Sequence, residues 1–267
     1  MARKEKNLRE EEEFSFDDIL EEIQSISNEI ECGPYRVKEL TMRHQRKNIA
    51  ASMEPVEAPL RTIRLFNEYI RENVESNEAF GDICDIVDVS DRPYLVTLLR
   101  QVTFGNEYKV GDKIYHTYEV KDSDFENEEK TLSFNCGALT ITLEYPSLTK
   151  DDAINEQLSN ALTPFKKRKL NEDDYGKIGD IYSVHEIMKY IAIIEKDGRE
   201  ILFDTLSISN RKKFIDGLQL KYIEIISDFM SKIKEHETKC FTAYNPADKE
   251  DTIEIDLNSI FSAKSIS

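Results

Sequence analysis

A chain of 267 residues, 39% hydrophobic and 33% charged, is long enough to bury a core in one large domain or two modest ones. Its formal net charge of −17 argues against a general nucleic-acid binder and against adhesion to an anionic membrane surface, because both need a positive field. The same charge keeps a protein soluble until a complementary partner covers it.

Residues 1–14 are dominated by charge, including Glu10-Glu11-Glu12-Glu13, and carry too little apolar surface to order alone, so a disordered tail is expected. No apolar run follows the basic start, so no secretory signal is expected. Stretches such as Tyr190-Ile191-Ala192-Ile193-Ile194 are too short to span a bilayer. From Ser15 the pattern turns helical: Phe16, Ile19, Leu20, Ile23, Ile26 and Ile30 share one face, and Ser15 with Asp18 has the form of a capping box. This predicts an amphipathic arm over 15–31, stopped by Gly33-Pro34. It either packs on the core or docks another subunit through Phe16, Ile19, Leu20 and Ile23.

Residues 32–105 read as a helical part. A short strand is expected over 35–40, and Thr41 can cap a helix running to about Met53. Pro55 and Pro59 frame a further helix with the stripe Leu60, Ile63, Phe66, Ile70 and Val74. Another covers 92–102, with Ser90 or Asp91 as cap, Pro93 in its first turn and Gly105 at its exit.

Between 106 and 148 the period shortens to 2. Strands are expected over 113–120, 131–134 and 138–145, with turns at Gly111 and Gly137, as one small antiparallel module inserted between helical parts. Residues 149–262 turn helical again, over 151–162, 182–196, 211–218 and 221–235, with Ser207 or Ser209 capping the third. A basic linker, Lys166-Lys167-Arg168-Lys169, interrupts them; it is a solvated linker, a nuclear-type signal, a nucleic-acid contact or a contact for an acidic neighbour. A terminal strand or hairpin places Ile253, Ile255 and Leu257 on one face and Glu254 and Asp256 on the other, closing the fold or docking a neighbour. Residues 263–267 form a tail. The expected class is α+β, mainly helical, with an antiparallel β-rich insertion at about 106–145.

The sequence offers no chemical signature. Cys32, Cys84, Cys136 and Cys240 show no CxxC spacing, and Ala243 stands where a knuckle after Cys240 would need its second thiolate. His236, four residues before Cys240, is the one spacing that invites a metal reading. The acids from Asp248 to Asp256 lack the glycine of a calcium loop. No GxSxG elbow and no glycine-rich phosphate loop occurs, and His44, His116, His185 and His236 lie outside any triad context. No catalytic residue, metal, cofactor or small-molecule substrate is therefore expected.

Three stretches carry a resemblance: "GPYRVKELTMRHQRKNI", "DRPYLVTLLRQVTFG" and "IKEHETKCFTAYNPADKEDTIEIDLNSIF". Their order, spanning about 32–262, resembles the T4-type bacteriophage baseplate proteins, which include the hub subunit and the hub-assembly catalyst. Where such relatives are expected to pair cysteines in a ribbon, Cys136 and Cys240 stand alone. The resemblance implies a non-enzymatic part of a contractile-tail baseplate, at the hub or hub–wedge junction. It would be made in the host cytoplasm, held in the virion, and partnered with other baseplate or tail proteins in a homo- or hetero-oligomer. The alternatives are a hub-assembly chaperone that leaves the particle, or a generic acidic protein-interaction module.

Overall fold

The computed structural model describes residues 27–41, 43–44, 58–126, 129–166, 169–257 and 260–261. Strands β1 (Glu29–Cys32) and β2 (Tyr35–Lys38) come first, then helix α1 (Ala58–Asn73), strand β3 (Val74–Ser76) and helices α2 (Ile83–Ile86) and α3 (Arg92–Phe104). Strands β4 (Glu107–Val110), β5 (Lys113–His116), β6 (Thr131–Cys136) and β7 (Leu139–Glu144) follow. Helices α4 (Leu148–Leu162) and α5 (Glu172–Tyr190) lead into β8 (Ile191–Lys196) and β9 (Arg199–Leu202). Helices α6 (Ile208–Asp216) and α7 (Leu220–Cys240) and strands β10 (Thr242–Asn245) and β11 (Asp248–Glu254) complete the series. The class is α+β, as the alternation of periods predicts.

Helix α3 is the axis of the packing. Pro93 fits its first turn, where an N–H has no partner to lose, and Gly105 ends it at φ +78°. Tyr94, Leu95, Val96, Leu98 and Leu99 are all buried, so this helix is covered on every side. Strand β2, helix α1 and helix α7 pack around it. Helix α1 contributes Leu65, Phe66, Tyr69 and Ile70, and the C-terminal Phe261 meets Phe66 and Tyr69 edge-on at 5.7 and 5.3 Å.

The described strands form three antiparallel sheets, in the orders β1-β2-β3, β11-β10-β5-β4 and β6-β7-β8-β9. Three expectations change here. The end of the arm, Glu29–Cys32, is a strand and not helix. Gly33 at φ +55° and Pro34 make the two-residue loop of a β1–β2 hairpin, in which Cys32 faces Tyr35. A proline cannot take positive φ, so the pair suits a type II′ turn, and the same residues that stop a helix here turn a hairpin.

The helix expected over 182–196 is also corrected. It ends at Tyr190, and Ile191-Ala192-Ile193-Ile194 continues as β8, paired with β9 across Asp197-Gly198. Both turn residues have positive φ, 52° and 72°, as a type I′ hairpin requires. The third correction concerns the module at 106–148. Its strands divide between two sheets: β4–β5 joins the C-terminal β10–β11, whereas β6–β7 joins β8–β9. One apolar cluster, including Val37, Leu99, Ile141, Ile194, Phe229 and Ile255, runs through elements of all three sheets. The helical parts and the β-rich stretch therefore share a core.

Candidate functional site

The interior holds a charge cluster that the sequence reading did not single out. Asp151 lies on the buried stripe of α4, with Leu148, Ile154, Leu158 and Leu162. Arg92 Nη1 of α3 donates to its Oδ2 at 2.7 Å, and the Lys189 ammonium of α5 stands 2.8 Å from its Oδ1 as an ion pair. Asn67 of α1 and Asn155 also donate to Oδ2, at 3.3 and 3.1 Å, and Glu186 Oε2 holds Lys189 at 2.7 Å. Burial alone would raise the Asp151 carboxyl; Lys189 and Arg92 more than reverse this and hold it at about 2. The two cations are in turn raised, against burial, chiefly by Asp151. The cluster pins helices α1, α3, α4 and α5 together through one shared carboxylate.

A second group surrounds the start of α3. Lys130 Nζ lies 2.7 Å from Asp88 and 3.3 Å from Asp91, and Tyr35 Oη donates to Asp91 at 2.8 Å. Burial and the neighbouring Asp88 charge push Asp91 up to about 6, with Lys130 and Tyr35 opposing them. Nearby, a cleft of about 600 Å³ opens beside Phe66, Pro93, Phe241 and Leu257, with Arg92 and Glu237 in its wall. Arg92 is committed to Asp151. Burial raises Glu237, with the Arg92 charge opposing it.

Burial likewise pushes the thiols of Cys32, Cys84 and Cys240 up to about 12, 11 and 12, which keeps them protonated and poor as nucleophiles or metal ligands. His236, the residue that invited a metal reading, meets the Ser90 carbonyl at 3.2 Å and packs against Tyr94. Among the described residues no group of three His, Cys, Asp or Glu side chains could hold a metal ion. No described helix is long and apolar enough to cross a membrane.

The surface is more informative. Strand β9 is an edge of its sheet, and all four of its residues are exposed, Ile201 by 48% and Leu202 by 58%. Register puts like charges opposite one another at the hairpin tip: Glu195 faces Glu200, and Lys196 faces Arg199. Like charges in direct cross-strand positions destabilise a ladder. Other large apolar side chains also stand in solvent, notably Phe80, which is wholly exposed in the loop before α2, and Leu220 at the start of α7.

The residues expected to make contacts fall into three groups. Phe16, Ile19, Leu20, Ile23, Lys167 and Arg168 lie outside the described residues, as do most of the helix expected after Thr41 and both tails. Lys169 is exposed, whereas Lys166 is half-buried and its ammonium donates to Ser159 Oγ at 3.2 Å. Ile255 is buried, and Ile253 and Leu257 pack against the same core. Ile255 thus closes the chain's own fold, whereas Ile253 and Leu257 keep part of their surface in solvent. Strand β9, an edge that exposes two large apolar side chains, follows directly on the stretch 182–196 that was expected to be helical and lies where no element was expected. Its signal was Asp197-Gly198 after a β-branched run. No protein-family profile, curated protein or solved structure matches the chain.

Proposed function

We propose that this protein is an assembly subunit that works by docking other proteins and performs no catalysis. The observation that carries the reading is the open apolar edge of β9, where Ile201 and Leu202 stand in solvent beside unfilled ladder positions. The three stretches quoted above support a finer proposal: the assembly is a contractile-tail phage baseplate, at the hub or hub–wedge junction. The protein is then made in the host cytoplasm and retained in the virion among other baseplate and tail proteins. The net charge of −17 favours partners with basic faces and disfavours nucleic acid or anionic lipid.

Mass spectrometry of purified particles and of assembly intermediates tests this. Presence in mature particles at a fixed ratio to tail proteins supports the structural role. Presence in intermediates alone makes the protein an assembly chaperone. Absence from both overturns the baseplate proposal.

A further inference from the structure

We infer that β9 is a strand-addition site, taking an extended segment of another protein whose sequence runs apolar–apolar–basic–acidic antiparallel to Arg199–Leu202. This rests on the docking reading above and names the chemistry of the partner. In a two-residue type I′ hairpin the residues flanking the turn form a hydrogen-bonded pair, here Lys196 and Arg199. Alternation makes Ile194 and Ile201 the next such pair. Glu200 and Leu202 therefore turn their N–H and C=O groups to the open edge. The Leu202 carbonyl already accepts from Thr205 Oγ1 at 2.7 Å, so an added strand is pinned through Glu200 and ends at the Leu202 N–H.

Side chains set the partner's order. Opposite Leu202 and Ile201 an added strand meets exposed apolar surface. Opposite Glu200 it meets two carboxylates in one cross-strand row, Glu195 and Glu200, and opposite Arg199 it meets two cations, Lys196 and Arg199. Neither row has an ion-pair partner among the described residues, so a basic and then an acidic residue relieves both. A second copy serves less well. Pairing Glu200 with Glu200 adds a third and fourth carboxylate to one row, pairing it with Leu202 leaves both rows uncompensated, and each copy carries −17.

The test titrates the full isotope-labelled chain with two blocked peptides of one composition, Thr-Val-Val-Lys-Glu-Thr and Thr-Val-Val-Glu-Lys-Thr, following backbone amide shifts. The expected result is movement of the Glu200 and Leu202 amides, with the Lys-Glu order bound about threefold more tightly. The double variant Arg199→Glu, Glu200→Lys, at two exposed positions, gives each row one charge of either sign and abolishes that preference. Silent amides, or equal binding of both peptides by both proteins, overturn the inference. Concentration-dependent dimerisation abolished by Leu202→Lys assigns the edge to a second copy and overturns it too. Particles that contain the protein alongside a silent titration would retire this edge while leaving the assembly reading intact.

Discussion

Two edge strands of this molecule, β11 and β9, treat the same residue type in opposite ways. β11 carries Asp248, Glu250, Asp251 and Glu254, and Asp251 is tied down by Lys113 at 2.9 Å and Asn245 at 3.0 Å. The isoleucine just beyond it, Ile255, is buried, its N–H donating to the Phe241 carbonyl at 2.7 Å. β9 has the reverse character: its apolar Ile201 and Leu202 are in solvent and its charges face like charges. Apolar side chains left in solvent on an edge invite added strands, and β9 keeps two of them there beside its two charges. An alternating strand at the end of a chain is thus no sign of docking by itself. What matters is whether the fold consumes its apolar face.

The largest expected effect comes from breaking the frame that both edges rest on. Asp151→Ala leaves Arg92 and Lys189 buried without their shared carboxylate and should cost about 3–5 kcal/mol in urea unfolding. Ile255→Ala, which tests the closed edge, should cost roughly 3 kcal/mol, whereas Ile201→Ala should cost a small fraction of that. Equal costs would erase the contrast.

Acid separates the frame from its surface. Asp151 is held at about 2 against an ordinary 3.8, so its contribution of roughly 2 kcal/mol is complete above pH 4 and lost as pH falls through about 2. Asp91 has the opposite sign. Its pKa near 6 makes the folded state take up a proton first, so stability lost at neutral pH returns between about pH 6 and 4. Unfolding of Asp151→Asn and Asp91→Asn across pH 2–7 should flatten one arm each.

Smaller effects belong to the open edge. Gly198→Ala forces an L side chain into φ +72° and should cost about 1 kcal/mol while loosening the β9 hairpin in hydrogen exchange. Leu202→Lys should change stability by less than about 0.5 kcal/mol yet remove the protein from assembled particles, read by particle composition. Normal incorporation of Leu202→Lys would make β9 an idle edge.

Local chemistry was legible where neighbours decide it. Helix α3 follows from Pro93 and Gly105, although Asp91 places no side-chain hydrogen bond on its first turn, and α6 from Ser207, whose hydroxyl accepts from the Asn210 N–H. The β8–β9 hairpin was missed because Ile187, Ile191 and Ile194 satisfy a helical spacing, although Asp197-Gly198 and the β-branched run before it signalled a turn. Sheet membership was not legible, since the β5–β10 contact, Tyr244 against His116, joins residues far apart in the chain. The buried cluster left one trace: Asp151 sits in the apolar stripe of α4, a charge where only a partnered one can survive. In a chain one-third charged, that single position did not stand out.

The most direct test of the central claim is hydrogen–deuterium exchange across residues 199–202, in the isolated protein and in purified particles that contain it. The account predicts rapid exchange at Glu200 and Leu202 in the free protein and slowing by about tenfold or more once assembled, because a partner strand occupies both N–H groups. Unchanged exchange at these two amides in the particle would contradict it.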